Sequence, residues 1–219
     1  LIFKNDSKIF SNDLFWFQNL KYDNYYNDDP INKINKTISV KSFSNSGLYI
    51  MKNKKQKDYM LVKGVDKNKL ALKAHSHNDA LAFELWLSGK RLIVDPGTFC
   101  YTSDPTLRNK FRSSSSHNSL IINNKELNKI GRSLFTIDWN TKSRCLKLDS
   151  SSSKAEMLFE HNGYYDDLNI LINRSILYNK KSWLINDKII GNFDKVKTAS
   201  SLLIFPPEIK NILEISDNE

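Results

Sequence analysis

The sequence predicts an all-β protein, an antiparallel multi-stranded β-sandwich, and three observations support this prediction. Short apolar segments recur with polar turns between them, one segment alternates in period two, and no amphipathic helix of about ten or more residues is evident. The 219 residues are 40% hydrophobic and 11% aromatic, with 7 Gly and 5 Pro, which is enough apolar material for one large β domain. Many short strands with frequent turns are typical of an antiparallel sandwich or barrel.

The first part of the chain differs from the rest. Residues 1–45 are polar and aromatic, and an Asn-Asp-Asp-Pro segment at 27–30 predicts a turn. We expect residues 1–45 to be a linker or the tail of an upstream domain. Residues 46–219 are expected to form the sandwich.

Strand candidates begin at about residue 38, and the clearest is a hairpin over about residues 81–94. Leu81, Phe83, Leu85 and Leu87 alternate with other residues in the period of a half-buried strand. A Ser-Gly-Lys turn at 88–90 follows, and an apolar segment then returns. The other predicted strands are Ile38–Val40, Leu48–Met51, Tyr59–Val62, Ser119–Ile122, Leu134–Ile137, Leu146–Leu148, Ala155–Phe159, Ile170–Leu177, Trp183–Ile190 and Ser201–Ile204.

The composition indicates which classes of ligand the protein is suited to bind. The net charge of +9 suits an acidic ligand, although the lysines are spread among Asn and Ile and form one dense block, at 52–57. No nucleic-acid motif is present, and no apolar run approaches the roughly 20 residues of a membrane-spanning helix. The two cysteines, Cys100 and Cys145, are too few for a disulfide scaffold.

Three of the 4 histidines lie within residues 75–117, together with an Asp-Pro-Gly segment. On an extended chain a His-x-His pair places both rings on one face. Two imidazoles and one carboxylate are a common ligand set for Zn²⁺, and His77, Asp95 and His117 could supply it. A straight hairpin would bring Asp95 near Glu84 rather than near His77. Spacing alone therefore leaves a metal site and ordinary hydrogen-bonded histidines as open alternatives.

Three blocks in this region resemble those of heparinase II/III-like proteins. Residues 75–85 (HSHNDALAFEL) resemble an HxHxDALSFEL block, and residues 92–99 (LIVDPGTF) resemble LLVDPGTY. Residues 108–119 (RNKFRSSSSHNS) resemble RNYFRST-x-AHNT, and a weaker HxGY element matches 161–164. The resemblance covers roughly residues 45–205. This sequence departs from the family pattern at Ser76, Phe99 and Ser116, where the family usually has Gly, Tyr and Ala.

The resemblance implies the β-sandwich half of a polysaccharide lyase that cleaves uronic-acid polysaccharides, such as glycosaminoglycans, by β-elimination. An upstream α/α-toroid domain would supply an Asn, a His and a Tyr. His75 would be a catalytic group facing the cleft, or alternatively a group that orients His77. His77, Asp95 and His117 match the family's metal positions, so a structural Zn²⁺ or similar divalent ion is implied.

Three further residues flank the same region, and we predict that Arg112, Tyr101 and Asn118 bind substrate. Arg112 could hold a carboxylate or sulfate with two hydrogen bonds, or form a salt bridge with Asp79 or Asp104. Tyr101 would be a wall for a sugar ring or part of the core.

The partners expected are an acidic polysaccharide and the toroid, with no nucleic acid and no membrane span. The alternative is a non-catalytic carbohydrate-binding or scaffold module of an exopolysaccharide or capsule pathway. A periplasmic or secreted location is expected for a bacterial lyase, with a cytoplasmic one as the alternative.

Overall fold

Two five-stranded antiparallel sheets form the protein. The structure is a computed structural model that describes residues 2–4, 37–64, 75–131, 136–179 and 182–209. The first sheet contains, in spatial order, β2 (Ile38–Phe43), β3 (Leu48–Asn53), β4 (Asp58–Lys63), β5 (Phe83–Leu87) and β6 (Lys90–Ile93). The second contains β1 (Ile2–Lys4), β13 (Ser182–Gly191), β12 (Ile170–Tyr178), β11 (Ala155–His161) and β10 (Ser143–Ser150).

Smaller elements connect the sheets. Two short antiparallel pairs are β7 (Leu120–Ile122) with β14 (Ala199–Ser201), and β8 (Lys129–Ile130) with β9 (Ile137–Asp138). The helices are α1 (Pro105–Arg112) and α2 (Tyr165–Leu168), and Ser114–Ser116 form a 3-10 turn. Within the described residues, none of the helices has the length and apolarity that crossing a membrane requires.

Alternate residues of both sheets point into one shared core, as the period-two pattern predicts. Met60 and Leu85 of the first sheet and Met157 and Phe159 of the second are fully buried in it. The ring of Tyr49 meets that of Phe159 edge-to-face across the sheets, with centroids 4.9 Å apart. The predicted antiparallel β-sandwich is therefore confirmed.

Two strands begin before residue 46, the predicted start of the sandwich. Strand β2 begins at Ile38, whose side chain is fully buried in the core, and β1 adds an edge strand beside β13. Both segments hydrogen-bond along their neighbouring strands, so the sandwich includes parts of the stretch assigned to a linker.

Two local predictions also differ from the structure. The hairpin strand begins at Phe83 and not at Leu81, because Leu81 has a left-handed backbone (φ 59°) inside a turn closed by the Ala82 N–H and the Asp79 carbonyl. Helix α1 was not predicted, although the Asp104 carboxylate accepts a hydrogen bond from the Leu107 N–H in a typical N-cap. The first half of the predicted strand 134–137 lies outside the described residues, and β9 begins at its last residue, Ile137.

Arg174 ties the second sheet to the loops at the end of the first. From β12 its guanidinium donates two hydrogen bonds to the Asp187 carboxylate on β13, both 2.6 Å long. A third nitrogen donates to the carbonyls of Leu81 (2.6 Å) and Asn118 (2.8 Å), and the group lies over the ring of Phe83. Arg174 is 2% exposed, its two bonds to the carbonyls are buried, and its two bonds to Asp187 are partly buried.

Replacing Arg174 with Met is expected to destabilise the fold by about 3–5 kcal/mol, because it leaves the Asp187 carboxylate buried without its cation. Arg144→Met is the matched control, since Arg144 pairs with Glu160 on the same sheet but is 70% exposed. That variant is expected to lose at most about 1 kcal/mol. Urea unfolding of both variants measures the difference, and equal losses would contradict this account of Arg174.

His161, in the weaker HxGY element, predicts a pH dependence of stability. Burial, with the nearby charge of Arg174, lowers the pKa of His161 from 6.5 to about 3. The unfolded chain therefore binds this proton as the pH falls below 6.5, while the folded chain does not until about pH 3. Between pH 7 and pH 5 this group should cost about 2 kcal/mol of stability. His161→Gln should remove that loss in unfolding curves at the two pH values, and an unchanged loss would contradict the assignment.

Candidate functional site

The segment from residue 75 to residue 82 is a turn that presents its two histidines differently. His75 is exposed, whereas His77 is 8% exposed. The expectation that both rings share one face is wrong, because the segment is not an extended strand. Arg112 supports this turn with two hydrogen bonds. Its Nε donates to the Ser76 carbonyl (3.0 Å), and its backbone carbonyl accepts from the Asn78 N–H (2.9 Å).

Two other segments converge on this turn. Asp95 follows β6, and its carboxylate accepts a hydrogen bond from the N–H of Gly97, which has a positive φ of 66°. His117 follows α1 and the 3-10 turn, and it is fully buried. The tertiary structure therefore gathers residues that are far apart in the chain.

The gathered side chains form a cluster of imidazoles and carboxylates. His77, Asp79 and His117 each offer a ligand atom, and these atoms lie within 4.8 Å of one another. Asp95 contacts the cluster through His117, with 2.6 Å between its Oδ2 and the His117 Nδ1. The Thr98 hydroxyl lies 3.2 Å from the Nε2 of His77. We call His77, Asp79, Asp95 and His117 the His/Asp cluster.

The electrostatics of the His/Asp cluster favour a neutral imidazole at His77 and an ionised carboxylate at Asp95. Burial, aided by His117 and Lys63 and opposed by Asp79 and Asp95, lowers the pKa of His77 to about 4. Burial opposes ionisation of Asp95, but hydrogen bonding to His117 and to the Gly97 N–H outweighs it and lowers the pKa of this carboxyl. A neutral imidazole and an ionised carboxylate are the forms that bind a metal ion.

Two buried atoms of the cluster indicate that its residues fit a metal ion. The Nε2 of His117 and the Oδ1 of Asp79 are inaccessible and have no hydrogen-bond partner among the described residues. Such atoms are costly unless a ligand satisfies them. The other oxygen of Asp79 pairs with Lys63, so this carboxylate is held in place from one side.

His75 and Tyr101 lie together at the surface. Their rings meet edge-to-face with centroids 5.6 Å apart, and Tyr101 is 51% exposed. Beside them in the chain Phe99 is 74% exposed and stacks on Phe111 at 5.2 Å. His75 and Tyr101 are thus accessible at the surface, and the roles predicted for them stay predictions.

The structure gives Asn118 and Arg112 structural contacts. The Asn118 amide is fully buried, donating to the carbonyls of Phe83 (3.0 Å) and Val94 (2.8 Å) and accepting from the Ile204 N–H (2.7 Å). Arg112 is 1% exposed and supports the turn that carries the histidines. Neither side chain reaches the surface, so the predicted contact with substrate does not follow from their positions.

Sequence reasoning missed two residues of the site. Asp79 lies two residues after His77 in the same block, and this spacing was a signal that a second carboxylate accompanies the histidines. Arg174 had no local signal, because its contacts with Leu81 and Asn118 span 93 and 56 residues.

Comparison with known proteins assigns the chain to a family. A family model described as heparinase II/III-like, C-terminal, matches residues 35–209. A heparin-sulfate lyase of Pedobacter heparinus is 28% identical over 163 residues, and one of Bacteroides stercoris is 27% identical over 162 residues. Each alignment covers 69% of this chain and 21% of the relative, so the chain spans about a fifth of the relatives' length.

Solved structures agree with this assignment. A crystal structure of heparinase III matches with a TM-score of 0.57 and 26% identity, covering 70% of this chain and 23% of that one. The heparan sulfate lyase HepC from Pedobacter heparinus matches with a TM-score of 0.54 and 26% identity, over 69% and 22% of the two chains. The chain therefore belongs to the heparinase II/III-like family and contains its C-terminal domain.

Proposed function

We propose that this chain is the β-sandwich part of a polysaccharide lyase that cleaves uronic-acid-containing polysaccharides by β-elimination. The observation that carries the proposal is the exposed His75–Tyr101 pair beside the His/Asp cluster, within the blocks that resemble the family. The relatives' names, heparin-sulfate lyase and heparan sulfate lyase, favour a glycosaminoglycan as substrate. Such polymers are extracellular, so we propose a periplasmic or secreted location.

The chemistry requires several groups to act together. A base removes the C5 proton next to the uronate carboxylate, the bond from C4 to the leaving oxygen breaks, and a C4–C5 double bond forms. An acid protonates the leaving oxygen. The C5 proton is weakly acidic, so the uronate carboxylate must be neutralised to stabilise the charge that develops.

His75 is suited to the carboxylate. An exposed imidazole can donate a hydrogen bond to an anionic group, and the edge-to-face contact with Tyr101 restricts its orientation. Tyr101 presents half of its surface to solvent and can pack against a sugar ring. We propose that the base and the leaving-group acid come from an α/α-toroid domain of the same protein, as the resemblance implies.

We further propose that the His/Asp cluster binds one Zn²⁺ or similar divalent ion with a structural role. His77 and His117 would be the imidazole ligands, and Asp95 and Asp79 the adjacent carboxylates. A bound ion would crosslink the turn at 75–82, the segment after β6 and the segment after α1. This would hold His75 and Tyr101 in a fixed relation.

Substitutions in the cluster should reduce metal binding in a graded way. His77→Ala or His117→Ala should abolish stoichiometric binding, because each removes a proposed ligand. Asp79→Asn and Asp95→Asn should each weaken it by at least about tenfold, the effect of removing even an outer partner. Metal content after dialysis and calorimetric titration with Zn²⁺ measure this. His161→Gln, a buried histidine outside the cluster, is the matched control, and a His77→Ala variant with full zinc content would refute the site.

Lyase activity should require more than these 219 residues. The chain alone is expected to show no measurable elimination, while the protein that includes the upstream domain forms unsaturated uronate, followed by its ultraviolet absorbance on a panel of acidic polysaccharides. In that longer protein His75→Ala should reduce turnover by about 10²–10³-fold, the usual cost of removing one donor that stabilises developing negative charge.

Tyr101→Ala should weaken substrate binding, seen mainly as a higher KM. Tyr165→Ala on α2 is its matched control, since Tyr165 is 49% exposed. Comparable activity of the 219-residue chain and the longer protein would refute this division of roles. A longer protein that binds these polymers without cleaving them would instead support the non-catalytic module.

A further inference from the structure

The outer face of the first sheet carries a row of aromatic and basic residues. Cross-strand pairing places Lys52 opposite Tyr59, Tyr59 opposite Trp86, and Trp86 opposite Arg91. Residues paired directly across antiparallel strands lie on the same face. Lys52, Tyr59 and Trp86 each lie between two buried residues, and Arg91 is exposed and followed by the buried Leu92. The row therefore crosses β3, β4, β5 and β6 on the side away from the core.

The middle of this row is aromatic. The rings of Tyr59 and Trp86 meet edge-to-face, with centroids 5.0 Å apart and an interplanar angle of 81°. Both side chains are partly exposed, so part of their apolar surface faces solvent. Aromatic surface beside basic groups is the combination by which proteins hold single-stranded nucleic acids, where the rings stack on the bases and the cations follow the charged backbone. An acidic polysaccharide offers the same two elements, a series of rings and a series of negative charges.

The ends of the row and the adjoining turns are basic. Lys52 and Arg91 flank the two rings, and the β3–β4 turn adds Lys54, Lys55 and Lys57. The β5–β6 turn lies against the β3–β4 turn, because the Gly89 N–H donates to the Lys57 carbonyl at 2.9 Å. Lys90 follows the β5–β6 turn directly. Lysines from two turns and the row thus form one positively charged surface.

Three carboxylates lie near this surface among the residues that the structure describes. Asp58 is 1% exposed, and its oxygens accept hydrogen bonds from the Ser88 N–H (3.0 Å) and the Tyr178 hydroxyl (3.2 Å). Glu208 approaches Arg91 at 3.7 Å, but both side chains are at least half exposed, so a polyanion can displace this contact. Glu84 lies two residues before Trp86 on β5. Burial and the charge of Asp95 raise the pKa of Glu84 to about 7.

We infer that this face is a binding surface for an acidic polysaccharide chain, which runs across the strands from Lys52 to Arg91. Tyr59 and Trp86 pack against sugar rings, and the flanking cations pair with carboxylate or sulfate groups. The row spans roughly 14 Å, from a strand spacing of about 4.8 Å, which suits a short oligosaccharide segment. It lies toward the β5–β6 turn, whereas His77 and Asp95 lie beyond the other ends of these strands. The choice of polymer rests on the proposed function.

Charge reversal in the 219-residue chain tests this inference. Binding to immobilised heparin is measured at about 0.15 M salt, with dextran as the neutral polymer. The Lys52→Glu, Arg91→Glu double variant should bind heparin at least about tenfold more weakly, since charge-assisted contacts are the stronger ones. Lys147→Glu with Lys188→Glu on the second sheet makes the same change in net charge and should leave affinity within about twofold. A separate Trp86→Thr variant should also weaken binding.

Equal losses in the two double variants would overturn the inference, because net charge alone would then explain binding. Stronger binding, through the same residues, to single-stranded DNA or to phosphatidylserine vesicles would overturn the choice of polysaccharide. Thermal unfolding of each variant identifies a misfolded protein, and if Trp86→Thr does not fold, the surface charge variants decide. The assay involves no turnover, so a longer protein without lyase activity would refute the proposed function and not this surface.

Discussion

The Arg174–Asp187 pair is the interaction on which the arrangement of the site depends. The Arg174 side chain is 2% exposed and that of Asp187 13%, and a lone charge in such surroundings is unfavourable, so each group stabilises the other. The remaining donors of Arg174 go to the carbonyls of Leu81 and Asn118, which belong to the two segments that carry His77 and His117. A strand of the second sheet thereby fixes the spacing of loops at the end of the first.

Burial also determines the chemistry of the His/Asp cluster. Removing the imidazole of His77 from water disfavours its charged form, and the carboxylates nearby do not reverse this. Asp95 stays ionised because His117 and a backbone N–H stabilise its charge. The same folding that hides these groups therefore gathers side chains that could hold a metal ion and leaves the Nε2 of His117 unsatisfied among the described residues.

The domain separates its buried polar groups from its exposed aromatic ones. His77 and His117 are enclosed, while His75 and Tyr101 on the adjoining segments face outward. Under the proposed function, packing of the interior would hold the exposed side chains in position before substrate binds. The outer sheet face, with Tyr59 and Trp86, would extend contact with the same kind of polymer.

The sequence by itself determined the strands and the region of the site. Period-two alternation at Phe83, Leu85 and Leu87 reports burial of one face, which is a local property of the strand and can be read without a structure. The concentration of histidines, and the blocks around them, likewise located the cluster and the family. Sequence spacing also indicated that a straight hairpin would leave Asp95 nearer Glu84 than His77.

Only the tertiary structure decided which side chains meet and which are exposed. The left-handed turn at Leu81 brings Asp79 into the cluster, and hydrogen bonds from distant backbone groups bury Asn118. Arg174 acts across 56 and 93 residues of chain. Such contacts depend on how the two sheets stack, and no periodicity within a short window records that, whereas the alternation within each strand is set by its neighbours in sequence.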